Sequence, residues 1–174
     1  MGAVLFCGGF ALSASLLLAR IHPFGDAGLY AAKSADTPIL SNARVPQEVR
    51  AILVEKCADC HSNQTRAPLY GHFAPVSWLM ERDVEEGREH FDMSRWQEFD
   101  RDEHVELLTK IAAEAHSGEM PPKQYVLIHR SAKLTPEEGD LVYAWAKAER
   151  KRLRQQASAI SNGGVGNRRG TDTR

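Results

Sequence analysis

The sequence predicts an all-α fold. Apolar residues recur at helical spacing in several separate segments, and no stretch alternates with the period of two that a half-buried strand needs. Gly and Pro gather between the periodic segments and punctuate them. At 174 residues the chain can bury one hydrophobic core and still carry extensions at both ends, so a single domain is expected.

The first element is "GAVLFCGGFALSASLLLA", apolar or small throughout, with a length on the border between a secretory hydrophobic region and a membrane-spanning helix. No Lys or Arg precedes it, and no small-x-small cleavage site follows Ala19 before Arg20, Ile21 and His22. Cys7 follows bulky Phe6, where a lipoprotein site needs a small residue. Residues 1–21 therefore read as an uncleaved hydrophobic anchor helix, with a cleaved signal peptide as the alternative. Residues 22–45 mix Pro, Gly, Ser and Asp with no sustained period and read as a linker.

A helical domain is expected over residues 46–154. "PQEVRAILVEKC" places Val49, Ile52, Leu53 and Cys57 at helical spacing, with Pro46 suited to the first turn. "HSNQTRAPLYGHFAP" is a loop. "VSWLMERDVEEGREHF" is a second helix, with Ser77 as its candidate cap and Gly87 as a weak point, and "SRWQEF" is a short turn begun by Ser94. "DEHVELLTKIAAEAH" shows Val105, Leu108, Ala112 and Ala115 on one face with Leu107 and Ile111 beside it. "SGEMPPKQY" ends that helix, because no helix interior tolerates Gly118 followed by Pro121 and Pro122. The last helix carries the clearest start signal: Thr135 as N-cap, Pro136 at the first helical position, and Glu138 completing a capping box. Leu141, Val142, Trp145 and Ala148 form its apolar face. Residues 155–174 are polar and Gly-rich, with little to bury, and read as a disordered basic tail.

A net charge of −1 gives no footprint for a nucleic-acid partner, which requires a strongly basic face. Charge is local instead: Glu81 to Glu106 holds eleven acids against four bases, whereas Arg150 to Arg174 holds seven bases against one acid. Such runs are solvated faces or a docking surface for an oppositely charged redox partner.

The chemistry is concentrated in "CADCHSN". Cys57 and Cys60 stand three apart and His61 follows directly, the spacing at which two thiols reach the two vinyl groups of a haem and the imidazole lies under the iron. A chance match in a chain of this composition arises about once in five hundred. Zinc competes for the same residue types, but closed structural sites hold four ligands, and Cys57, Cys60 and His61 supply three with no second pair nearby. A thiol–disulfide site would need a βαβ setting. For a haem iron the sixth position is either open to water or ligand, or taken by one of the candidates Met80, Met93, Met120, His72, His104, His116 and His129. Met80 and Met93 suit packing and the histidines lie in polar surroundings. Met120 occupies the irregular "SGEMPP", where a thioether can be held at a fixed place.

The stretches "CADCHSN", "APVSW", "DV-x-x-GR" and "MPP-x-x-Y", in that order, resemble the bacterial haem-binding domain proteins, a small c-type cytochrome-like family. The resemblance covers roughly Pro46 to Arg150. It differs at "TRAPLY", where Ala67 and Leu69 flank Pro68 in place of the tryptophan common in relatives, and at "HFDMSRW". It implies a cytochrome c-like helical domain around one haem c, bound covalently through Cys57 and Cys60, with His61 on the iron, Met120 as the matching distal ligand, and a periplasmic location. The expected function is a monohaem single-electron carrier, not an enzyme, attached to the membrane by its N-terminal segment and meeting a redox partner protein in small transient encounters. A haem-based sensor or peroxidase-like protein with an open distal site is the alternative.

Overall fold

The structure, a computed structural model, describes residues 2–23, 25–29 and 38–166. It is all-α, as expected. The helices are α1 (Gly2–Leu18), α2 (Gln47–Lys56), α3 (Ala58–His61), α4 (Val76–His90), α5 (Arg101–Ser117), α6 (Lys123–Ile128) and α7 (Pro136–Gly166), with short 3-10 turns at Leu69–His72, Met93–Glu98 and Arg130–Ala132. No β-strand occurs among the described residues. The chain divides into two compact units: Met1–Ser41 with Cys57–Trp96, and Asn42–Lys56 with Gln97–Arg174.

In the first unit α3 and the Leu69–His72 turn pack against α4. The buried face of α4 is Ser77, Glu81 and Val84, spaced at three and four residues as one helical stripe requires. Ser77 is thus not the cap expected of it: Pro75 holds that position, and Ser77 lies inside the helix with its hydroxyl fully buried. The segment read as a linker contributes to this core. Leu29, Ile39 and Leu40 are buried, the Leu40 N–H donates to the Met93 carbonyl at 2.9 Å, and His22 Nδ1 stands 2.9 Å from the buried Glu81 carboxylate. Composition marks such a segment as non-periodic, which is not the same as unpacked. Residues 24 and 30–37 of that segment lie outside the described residues.

Helix α1 is apolar on every side, and Phe6, Phe10 and Leu17 are largely exposed. It has 17 residues, about 26 Å at 1.5 Å per residue, short of a hydrocarbon core of about 30 Å. Among the described residues no helix is long and apolar enough to cross a membrane.

In the second unit α5 lies along α7 and α2 also packs on α7. Val49, Ile52 and Leu53 of α2 are buried, as are Leu107, Leu108 and Ala112 of α5 and Val142, Trp145 and Ala146 of α7. Leu141 and Ala148, both expected in this face, are exposed; Ala146 and Glu149 are buried there with Val142 and Trp145, and Glu149 is paired to Arg152. The indole N–H of Trp145 donates to the Arg44 carbonyl at 2.9 Å. Both long helices start on capping boxes. At α5, Asp100 accepts from the N–H groups of Asp102 and Glu103 while Glu103 accepts from Asp100. At α7, Glu138 N–H donates to Thr135 Oγ1 and Thr135 N–H to Glu138 Oε2, the box that the sequence signals. Helix α7 runs on to Gly166, beyond residue 154 where the tail was expected to begin. A helix satisfies its own backbone without burial, and Gln155, Gln156, Ala157 and Ala159 are sound helix formers. Residues 167–174 of the expected tail lie outside the described residues.

Candidate functional site

Cys57 caps α3, and its carbonyl accepts from the N–H groups of Cys60 at 3.2 Å and His61 at 3.0 Å. The motif is therefore one helical turn, which puts residues three apart on the same face. Neither cysteine is in a disulfide. Burial, then the charges of Asp59 and Asp83, push the Cys60 thiol up to about 11 against the opposing pull of Arg88, so the sulfur carries its proton at neutral pH.

The ring of His61 is held from outside its own turn. Its Nδ1–H donates to the Phe91 carbonyl at 2.9 Å. That bond selects the tautomer whose Nε2 carries the lone pair, the orientation that metal-ligating histidines adopt. Burial holds the imidazole below the usual histidine range, hence neutral, as ligation requires. The Phe91 ring lies beside it at 6.1 Å, and Trp96 meets Phe91 edge-on at 6.0 Å, backing the imidazole with an apolar wall. Two thiols on one turn and an oriented neutral imidazole are residue types that fit a haem. Among the described residues no group of three or more His, Cys, Asp or Glu side chains is placed to hold a metal ion.

A family model for the haem-binding domain matches residues 17–148. The chain belongs to the haem-binding domain family. It is thus a haem-binding protein. Among curated proteins and among solved structures nothing matches the chain.

Around the Cys57–His61 turn, α4 and the loop after His61 form a bonded frame. Gly87 faces Cys60 so closely that a Cβ there would stand 2.9 Å from the Cys60 carbonyl oxygen. What the sequence marks as a weak point in a helix is the place where α4 touches the motif. Arg88 donates to the Ser62 carbonyl at 2.9 Å and to Thr65 Oγ1 at 3.0 Å. Ser94 Oγ donates to Asn63 Oδ1 at 2.7 Å and accepts from Asn63 N–H at 3.0 Å. Asp59 accepts both guanidinium bonds of Arg66. In the sequence, "DV-x-x-GR" gives no sign of what Arg88 holds, Ser94 reads only as the start of a short turn, and nothing marks the Phe91 carbonyl. A backbone acceptor leaves no trace in residue type, and the partners are far apart in the chain.

In the "HFDMSRW" segment of this haem-binding domain, Phe91 serves His61 through its backbone carbonyl, an acceptor that does not depend on residue type. Asp92 accepts from Ser94 N–H at 2.8 Å and so supports the Asn63 pair.

The structure brings Cys57, Cys60 and His61 together in the first unit, while Met120 belongs to the second. There it follows Gly118, which closes α5 in the left-handed region at φ 70°, and precedes a cis peptide bond to Pro121. Pro122 then caps α6, a short helix where the sequence predicts only an irregular segment. Met120 is 39% exposed, so its side chain is not part of the core. Met93, by contrast, is fully buried, and Met80 packs its terminal methyl over Gly71. Of the other histidines, His104 lies edge-on to Phe99, His116 stacks near Tyr143 and His129 stacks on Tyr125.

Proposed function

We propose that this haem-binding protein is a monohaem c-type cytochrome, a single-electron carrier on the periplasmic side of the membrane. The observation that carries it is the pairing of two thiols on one turn with an imidazole whose Nδ1 is already committed to the Phe91 carbonyl. Each thiol would add its sulfur and its hydrogen across one vinyl group, a step that needs neither oxidant nor reductant. His61 Nε2 would be the proximal ligand and Met120 the second axial ligand. Support for Met120 comes from its place in "SGEMPP" and its accessible thioether, since Met80 and Met93 are spent on packing. The bound haem supplies one-electron chemistry, and Met/His ligation suits it to electron transfer.

The apolar α1 supports export, with the domain facing the periplasm and held near the membrane by its N-terminal segment. No substrate transformation is proposed: the partner is another redox protein, met through a small and transient contact.

The test is a visible spectrum, oxidised and reduced, of protein matured with c-haem assembly machinery, beside its Met120→Ala variant. A covalent haem whose low-spin spectrum becomes high-spin in the variant supports the reading. A high-spin wild type unaffected by the substitution turns it toward ligand sensing or peroxide chemistry. Absence of a Soret band rejects it.

A further inference from the structure

We propose that Arg88 is the positioning residue of the haem-attachment turn, fixing the stretch that carries Cys60 and His61 while the thioethers form. The inference rests on the covalent reading above and adds which residue presents the second thiol.

Arg88 is half-buried and lies one position beyond Gly87, the point at which α4 touches Cys60. From there its guanidinium reaches three separate acceptors: Nε the Ser62 carbonyl, Nη2 the Thr65 hydroxyl, and Nη1 the carbonyl of Ala27. Both acceptors in the loop are tied back into the attachment turn. Ser62 is fully buried and its hydroxyl donates to the Ala58 carbonyl at 2.7 Å. Thr65 donates to the Asp59 carbonyl at 2.7 Å. Arg88 thus closes a bonded frame around residues 58–65, with one further bond to the segment that follows α1. A planar fork of five N–H donors can serve three acceptors in different directions, which a lysine ammonium on a flexible stem does poorly. Removing the fork leaves the buried Ser62 carbonyl without this donor and loosens the frame next to Cys60.

The consequence is specific. Two thioethers require both sulfurs at the vinyl separation together, and a loosened turn lets one bond form without the other. Arg88 should therefore govern the ratio of doubly to singly attached haem, beyond any effect on overall stability.

The experiment matures wild type, Arg88→Gln, Arg88→Lys and, as a control for destabilisation elsewhere, Gly139→Ala. After denaturation, iodoacetamide alkylates any unreacted thiol and peptide mass locates it. The absorption band of reduced haem in alkaline pyridine reports one or two thioethers independently. The expected result is at least a several-fold fall in the doubly attached fraction for both Arg88 variants, with alkylation at Cys60, while Gly139→Ala keeps the wild-type ratio. A wild-type ratio in Arg88→Gln, even at reduced yield, overturns the proposal, and so does a wild-type ratio in Arg88→Lys. If Arg88→Gln fails to accumulate, Arg88→Lys decides. A wild type with no covalent haem overturns the c-type reading itself, and it is recognised without any variant.

Discussion

Gly87 packs its bare Cα against the backbone of Cys60: a methyl group there would lie 2.9 Å from the Cys60 carbonyl oxygen and 3.2 Å from its Cβ. Two effects of Gly87→Ala oppose one another. Helix propensity favours the alanine by about 1 kcal/mol, whereas overpacking against a backbone that cannot swing away costs about 1–3 kcal/mol. The clash should win, because the obstructing atoms are main chain. Urea unfolding of the holoprotein is expected to show a lower midpoint, and a raised midpoint would show that α4 slides freely past the turn.

Gly139 makes the corresponding approach in the second unit, where a Cβ would meet the Ala115 carbonyl oxygen at 2.9 Å. Gly139→Ala should cost about 1–3 kcal/mol through the same overpacking and so lower the melting temperature. Gly8 lies in α1 with nothing within 4 Å of an added Cβ. There the same change should leave the melting temperature of the domain unaltered and only raise the helix content of α1.

Asp100 accepts two backbone bonds at the start of α5, at 2.8 and 2.9 Å, and is itself capped by Glu103. Asp100→Ala should cost about 1 kcal/mol and Asp100→Asn clearly less, since the amide oxygen still accepts. Denaturant melts of the two variants in parallel check this, and equal losses would point to charge instead of capping.

Phe91 serves His61 through its carbonyl and, separately, through its ring. Phe91→Ala keeps the acceptor and removes the ring, so stability should fall by about 2 kcal/mol for this part-buried aromatic. The ligation proposed for His61 should persist. A low-spin visible spectrum in a protein that melts earlier is the expected pair of results; a change of spin state would make the ring, not the carbonyl, the element that orients the imidazole.

Much of the fold was legible because helices are local. The Thr135 box, the stop at Gly118 and the buried stripes of α2 and α5 depend on residues within four or five positions, and each is where periodicity and capping residues indicate. Reading was less secure where the determinant was a packing partner. Ser77 looks like a cap by type but is buried, Leu141 looks like core but is exposed, and the non-periodic residues 38–41 carry the fully buried Leu40.

The sequence by itself determined the all-α class, the start of the last helix at Thr135, and the single turn that puts Cys57, Cys60 and His61 together, since all of these follow from spacing along the chain. Only the tertiary structure decided what holds that turn. The Phe91 carbonyl lies thirty residues from His61, Ser62 lies twenty-six from Arg88, and Ala27 lies sixty-one from the same guanidinium. A carbonyl is common to every residue type, and the absence of a side chain at Gly87 gains meaning only once another backbone is known to lie against it. Such contacts arise when α4 docks, and no local period encodes where it does so.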